Sequence, residues 1–253
     1  MKSLIDKIRI NFNKAGCSYD FVATVQKQCA EFLVDHLLKI RDFNPKSILD
    51  LGTGTGYIPE LLLNKYCDSY YYLNDIAEDM LRLCKAKLSR YPNINYLHGD
   101  MLKLKFDDFD LIISNFALQW LSDLEKALRL FHSKSKNVFA FSTLLSGTFR
   151  EWGTVLREYQ NIKLRNYPSL EKLVGICNGI KKNNQIFEYR FKKISLSFDG
   201  FVTFMRYLKL LGASSFKESM KIGNLKSLIK QDQWKEFRVT YNVFFGIFRD
   251  SNI

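Results

Sequence analysis

The sequence has few of the residues that build metal sites or disulfide frameworks. Its 253 residues include three histidines, far apart at His36, His98 and His132, and five cysteines without a Cys-x-x-Cys pair. Neither pattern has the spacing of a zinc site, and an odd number of cysteines fits a reducing cytosol. No apolar run approaches the roughly 18 residues of a membrane span, and charges interrupt the N-terminus too often for a secretory signal. We therefore expect a cytoplasmic protein without a metal site or a membrane partner.

Proline is also scarce, and the chain contains no low-complexity segment or internal repeat. A chain of this length without a linker is expected to form one domain. The net charge of +12 is uneven, because residues 1–150 hold 20 Lys and Arg against 17 Asp and Glu, whereas residues 151–253 hold 18 against 9. The basic half favours an acidic partner, although a lysine-favouring codon bias gives the same composition.

Short apolar runs alternate with helical patterns through the first 145 residues. The predicted strands cover residues 44–51, 69–76, 94–100, 109–115 and 137–143. Such alternation is typical of a mostly parallel sheet with helices on both faces, a Rossmann-like α/β fold. Two later strands, 189–198 and 236–249, are predicted to form an antiparallel edge.

The segment ILDLGTGTGY, residues 48–57, places three glycines after the first strand. A P-loop needs a lysine after its glycines and the dinucleotide fingerprint needs G-x-G-x-x-G, so neither pattern is met. Asp50 lies just before the turn, where a carboxylate repels a pyrophosphate and attracts a cation. S-adenosylmethionine carries an amino group and a sulfonium, so it suits this turn.

Two more acids end the next strands. Asp75, followed by Ile76, closes the second strand and is predicted to accept hydrogen bonds from ribose hydroxyls. Asp100 closes the third strand and is placed to accept from an adenine amine, with Met101 packing on the ring. Each acid alone also fits a helix N-cap. Acids at three successive strand ends favour one nucleotide-like ligand, which binds beyond the carboxyl ends of the strands.

The motifs occur in the order that one large family uses. The sequence resembles the class I S-adenosylmethionine-dependent methyltransferases in four motifs. They are D-x-G-x-G-x-G, an acid after the second strand, Gly-Asp after the third strand and an aspartate that opens the fourth. The resemblance implies S-adenosylmethionine as cofactor and S-adenosylhomocysteine as product. A nicotinamide cofactor is the alternative, and the glycine spacing argues against it. The cofactor-binding residues implied are Asp50, Gly52, Thr53, Gly54, Gly56, Asp75, Ile76, Asp100, Met101 and Asn115.

Motifs outside the cofactor core indicate the methyl acceptor. The chain lacks the [ND]-P-P-[YF] motif of adenine-N6 methylases and the Pro-Cys nucleophile of cytosine-C5 enzymes, which disfavours nucleic acid. The segments SNFALQW (114–120), FSTLLSGTFREW (141–152) and FDGFVTFMRYLKLLGA (198–213) resemble the malonyl-[acyl carrier protein] O-methyltransferase family, as do residues 12–33 and 239–246. The chain departs from that family in Thr53 and in lacking Pro-Gly-Gly before the fifth strand, and residues 153–190 match weakly.

This resemblance implies methyl transfer to the free carboxylate of a malonyl thioester, on an acidic acyl carrier protein or CoA, at the start of the pimeloyl chain of biotin. A carboxylate is ionised at neutral pH, so no catalytic residue for proton transfer is expected. The acceptor is expected to bind Arg206 through its carboxylate, with Lys209, Tyr19 and Trp120 as further contacts. The alternatives are a class I methyltransferase acting on a free small acid or RNA, and a binding module without activity.

Four parts of a single methyltransferase domain, 1–253, are therefore expected. They are an N-terminal helical cap (1–43), a cofactor-binding core (44–145), a helical insertion over the acceptor site (146–190) and C-terminal strands and helix (191–253). Apolar residues at helical spacing predict one amphipathic helix over residues 20–40 of the cap. A later helix is predicted to end at Gly212.

Overall fold

A computed structural model describes residues 3–105, 107–159, 165–213 and 236–253, without the side chains of 156–159. Its strands are β1 Ser47–Leu51, β2 Tyr70–Asp75, β3 Ile94–His98, β4 Phe109–Asn115, β5 Ser135–Leu144, β6 Gln185–Phe198 and β7 Phe237–Asp250. They form one seven-stranded sheet in the order β3-β2-β1-β4-β5-β7-β6. Strands β1 to β5 are parallel, whereas β7 runs antiparallel to both β5 and β6. The predicted parallel sheet with an antiparallel edge is thereby confirmed.

Helices cover both faces of this sheet. They are α1 Leu4–Val22, α2 Thr24–Leu37, α3 Tyr57–Leu63, α4 Glu78–Lys87, α5 Leu124–Ser133, α6 Arg150–Tyr159, α7 Leu170–Ile180 and α8 Gly200–Leu210. Successive side chains of a strand point to opposite faces. Ile48 and Ile113 accordingly belong to the core beneath α2, α3 and α8, while Leu49 and Ile112 belong to the core beneath α5 and α7.

The N-terminal cap consists of two helices. The helix predicted over residues 20–40 is present as α2, but it begins only after a break at Ala23, and residues 20–22 belong to α1. Ala23 leaves the helical region with φ −76° and ψ 40°, and its side chain is fully buried at the break. The break lets α2 pack on β4 and β5 while α1 packs on α4 and α8. Helix α1 begins with a capping box, in which Ser3 Oγ accepts from the Asp6 backbone N–H and the Asp6 carboxylate accepts from the Ser3 backbone N–H.

The segment predicted as an insertion contributes helices to both faces of the sheet. In α6, the buried Trp152 meets Phe204 of α8 with ring centroids 5.4 Å apart. In α7, Leu173 and Cys177 are buried in the core on the opposite face. The division of the chain into four parts stays a prediction.

Helix α8 ends as its sequence predicts. Gly212 has φ +75°, its N–H donates to Lys209 O, and the N–H of Ala213 donates to Leu208 O. These two bonds form a Schellman motif, which satisfies the last carbonyls of the helix. Among the described residues, no helix has the length and apolar character needed to cross a membrane.

Candidate functional site

The glycine turn between β1 and α3 packs closely at one glycine and leaves open space at another. Gly52 has φ +72°, and a Cβ there would lie 2.3 Å from the Cβ of Ala117. Gly54 has φ +56° and would place a Cβ in open space. Gly52 therefore allows the backbone to pack closely against Ala117, whereas Gly54 leaves room for a ligand.

A first cavity, here called the Asp75 cavity, opens beyond the ends of β1 to β4. Most residues predicted to bind the cofactor line it. These are Gly52, Gly54, Asp75, Ile76, Asp100, Met101 and Asn115.

The carboxylates of this cavity are held by backbone N–H groups. Asp75 accepts from Gly54 N at 2.9 Å through one oxygen and from Ala77 N at 2.8 Å through the other. Asp100 accepts from Leu102 N at 3.0 Å. Each carboxylate oxygen has two lone pairs, so both side chains retain acceptor sites for ligand hydroxyl or amine groups. Burial raises the pKa of Asp75, which its backbone hydrogen bonds oppose.

A second cavity, here called the Asp50 cavity, adjoins the first. Asp50 Oδ2, Thr53 Oγ1 and Gln26 Oε1 border it, and each is buried without a hydrogen-bond partner in the described part of the chain. Burial raises the pKa of Asp50 to about 7, with Asp75 adding to the shift and the nearby Thr53 hydroxyl opposing it. A cationic group with several N–H donors, such as an ammonium, satisfies this set.

Helix α1 forms a wall across both cavities. Phe12 lines the Asp75 cavity and packs edge-on against Trp120 with ring centroids 5.6 Å apart, while Tyr19 lines both cavities. The Asp20 carboxylate ties the helix to the glycine turn by accepting from Thr55 Oγ1 at 2.6 Å, and it accepts from Lys87 Nζ at 3.2 Å. Sequence analysis named Tyr19 as an acceptor contact, but it did not identify the roles of Phe12 and Asp20, because the N-terminal helix carries no cofactor motif of its own.

The turn after β4 holds a strained residue at the cavity wall. Phe116 has φ +53°, a conformation that costs a non-glycine residue about 1–2 kcal/mol. Ser142 of β5 supports it, since its Oγ accepts from Phe116 N at 3.1 Å and donates to Asn115 Oδ1 at 2.6 Å. Asn115 Nδ2 also donates to Gln26 O at 3.0 Å, which links β4 to α2.

An open groove, here called the Trp120 groove, meets the Asp75 cavity at Trp120 and Leu121, which line both. Arg165 lies in this groove with its guanidinium carbon 5.6 Å from the centroid of the Trp120 ring, and its Nη2 donates to Leu121 O at 3.0 Å. Thr143 and Tyr167 also line the groove. Arg165 belongs to none of the recognisable motifs, so sequence analysis did not identify it.

Three predicted site residues lie elsewhere. Gly56 borders neither cavity. It lies instead against α4, where a Cβ at this position would meet Cys84 Sγ at 2.6 Å. Arg206 and Lys209 are exposed on α8 and line none of the cavities described above. The buried face of α8 is formed by Phe201, Phe204, Tyr207 and Leu208, which turns Arg206 and Lys209 outward. The structure therefore does not bring the predicted carboxylate-binding pair to the site.

Comparison of the sequence with known proteins shows which family the chain resembles. Residues 49–137 match the family described as "Methyltransferase domain". A malonyl-[acyl-carrier protein] O-methyltransferase of Neorickettsia risticii is 31% identical over 96% of this chain and 95% of its own length. A protein of the same name from Acetivibrio thermocellus is 30% identical over 96% of this chain and 93% of its own length.

Solved structures show the same fold at low sequence identity. The YcgJ protein of Bacillus subtilis has a TM-score of 0.61 at 14% identity, covering 87% of this chain and 98% of that protein. The plantazolicin methyltransferase BpumL, crystallised with S-adenosylhomocysteine, has a TM-score of 0.57 at 15% identity and covers 98% of this chain and 97% of its own. These likenesses support the fold alone.

Proposed function

This chain belongs to the malonyl-[acyl-carrier protein] O-methyltransferase family, and from that membership we propose that it methylates the free carboxylate of a malonyl thioester. It is a methyltransferase with S-adenosylmethionine as cofactor. The observation that carries the proposal is the shared wall at Trp120, where the acid-lined cavity meets an open groove that contains an arginine. Cofactor and acceptor can meet there.

The residues present fit the cofactor. Asp50 and Gln26 offer buried, unpaired oxygens to its ammonium group, and the open space at Gly54 admits its chain. Asp75 retains acceptor sites for ribose hydroxyls, and Asp100 with Met101 lines the place for the adenine. S-adenosylmethionine supplies a methyl group on a sulfonium, and its transfer to a carboxylate oxygen leaves S-adenosylhomocysteine.

The protein's contribution to the reaction is positioning and exclusion of water. A malonyl carboxylate is ionised at neutral pH, so no side chain has to remove a proton. Phe12 and Trp120 pack edge-on against each other in the wall of the Asp75 cavity, and their rings exclude water from it. Tyr19 borders both cavities and remains protonated, because burial, followed by the charge of Asp75, raises its pKa. Tyr19 and Trp120 thus stay proposed acceptor contacts.

The partner of this site is an acyl carrier protein that bears the malonyl group. Residues 151–253 carry twice as many basic as acidic side chains, and such a surface attracts an acidic protein. Lys172 lies exposed at the rim of the Trp120 groove. Malonyl-CoA, which is also anionic, is the alternative carrier of the malonyl group.

Four parallel reactions test the function. The protein is incubated with S-adenosylmethionine and, separately, malonyl-carrier protein, malonyl-CoA, free malonate or RNA, and the products are analysed by mass spectrometry. We expect a methyl ester on the malonyl thioester and faster transfer to it than to free malonate. Methylation of RNA without any methyl ester on the thioesters would overturn the proposal.

A further inference from the structure

The wall of the Trp120 groove carries hydrogen-bond donors without partners. We propose that Arg165, the indole N–H of Trp120 and the hydroxyl of Thr143 form the subsite that binds the carboxylate of the acceptor. This inference rests on the proposed function, and it assigns to Arg165 the role that the sequence predicts for Arg206.

Arg165 is held in place while most of its donors stay available. Its Nη2 bond to Leu121 O, at 3.0 Å, and its stacking over Trp120 fix the guanidinium beside the cavity wall. No carboxylate of the described residues lies within ion-pair distance of it. A guanidinium has five N–H donors in a planar fork, which matches the two oxygens of a carboxylate.

The environment of Arg165 favours an anion. The side chain is half-buried, and burial lowers the pKa of Arg165, an effect that the neighbouring Tyr167 opposes. Taking a cation out of water is costly unless an opposite charge compensates for it. An acceptor carboxylate supplies that charge on the side of the groove that borders the cofactor.

Two neutral donors complete the subsite. Trp120 Nε1 and Thr143 Oγ1 are buried and have no hydrogen-bond partner in the described part of the chain, and both residues line the groove. Thr143 follows Ser142, whose hydroxyl bonds Asn115 and Phe116 at the cavity wall. A carboxylate bound here has one oxygen directed by these donors and lies next to the cavity that holds the methyl donor.

Steady-state kinetics of Arg165 variants test the subsite. The acceptor is malonyl-N-acetylcysteamine, a thioester with a carboxylate and no phosphate. We expect Arg165→Ala to raise the KM for this acceptor about 10- to 100-fold, as loss of a hydrogen-bonded charged group does, and to leave the KM for S-adenosylmethionine within about twofold. Arg165→Lys keeps the charge without the fork and should lie between wild type and Arg165→Ala.

Arg206→Ala is the matched control, since it removes an exposed arginine of α8, and its acceptor KM should not change. Thr143→Val is a second variant of nearly the same shape, for which we expect a rise of about three- to tenfold, typical of one lost hydrogen bond. If Arg165→Ala does not fold, Thr143→Val still tests the subsite.

Three results would overturn the subsite. The first is an unchanged acceptor KM in Arg165→Ala or, where that variant does not fold, in Thr143→Val. The second is a large effect of Arg206→Ala alone. The third is an Arg165→Ala defect with malonyl-CoA but not with the phosphate-free thioester, which would assign Arg165 to the phosphate. A wild-type protein that does not methylate either thioester would instead count against the proposed function.

Discussion

The two halves of the cleft differ in the hydrogen-bonding groups that they leave unpaired. Among the described residues, the cofactor half leaves the acceptors Asp50 Oδ2 and Gln26 Oε1 and the hydroxyl of Thr53 unpaired. The acceptor half leaves donors on Arg165, Trp120 and Thr143, together with one acceptor, Gln119 Oε1. Because an ammonium donates and a carboxylate accepts, the two halves fit ligands of opposite charge. The boundary lies at Trp120, where the proposed methyl donor and acceptor meet.

The largest expected effect concerns the two glycines of the cofactor half, of which Gly52 packs against Ala117 and Gly54 borders open space. Gly52→Ala forces a Cβ to 2.3 Å from Ala117 at a positive φ, and we expect it to lower the free energy of unfolding by about 2–5 kcal/mol. Gly54→Ala introduces backbone strain from the positive φ but no clash, so we expect it to lower the free energy of unfolding by about 1–2 kcal/mol. Urea unfolding of both variants measures the difference, and equal losses would contradict it.

Asp50→Asn tests whether the cofactor half binds the ammonium group of its ligand through a carboxylate. Replacing the carboxylate removes the charge partner of the ligand ammonium, so the Kd for S-adenosylhomocysteine should rise by about 10- to 150-fold, or about 1.5–3 kcal/mol. The unliganded protein should not lose stability at pH 8, because the substitution also removes the cost of burying the carboxylate, which raises the pKa of Asp50. Calorimetry compares the variant with Asp68→Asn, an exposed control; similar affinities would contradict the assignment.

The same carboxylate predicts a pH dependence. The pKa of Asp50 is about 7 in the folded protein and about 3.9 in an unfolded chain. Protonation therefore favours the folded state, and this group's contribution to stability falls as the pH rises from about 4 to 7. Ligand binding needs the ionised form, so the affinity for S-adenosylhomocysteine should fall about tenfold from pH 8 to pH 6. The pH dependence should disappear in Asp50→Asn; a curve that persists there would point to another group.

The smallest expected effect concerns the rim of the acceptor half. Lys172→Ala removes one exposed cation, and exposed ion pairs contribute about 0.2–1 kcal/mol. The KM for malonyl-carrier protein should rise about 1.5- to fivefold at low salt and approach the wild-type value at high salt. Lys136→Ala, an exposed lysine at the start of β5, is the control. A defect that does not depend on salt would argue against electrostatic docking.

The cofactor half could be predicted from the sequence because its residues follow strand ends. Asp50, Asp75 and Asp100 each come directly after or within a short apolar run, and parallel strands bring such positions to one edge. The parallel sheet with its antiparallel edge was predictable for the same reason. The break at Ala23 was not, since apolar spacing continues across it.

The acceptor half could be predicted only in part. Trp120 was predicted as an acceptor contact, and both Trp120 and Thr143 lie in the segments 114–120 and 141–152 that resemble the family. Arg165 lies in residues 153–190, which match the family weakly, and tertiary packing brings it beside Trp120. For Arg206 a usable signal existed. Phe201, Phe204 and Tyr207 recur at helical spacing and define the buried face of α8, which places Arg206 on the solvent side.

The contrast between the two halves is tested most directly by the binding of loaded carrier proteins to the enzyme saturated with S-adenosylhomocysteine. Malonyl-carrier protein carries the carboxylate, whereas acetyl-carrier protein is otherwise similar and lacks it. We predict that the malonyl form binds at least about tenfold more tightly, as a hydrogen bond to a charged group provides. Equal Kd values for the two forms would contradict a carboxylate-binding acceptor half.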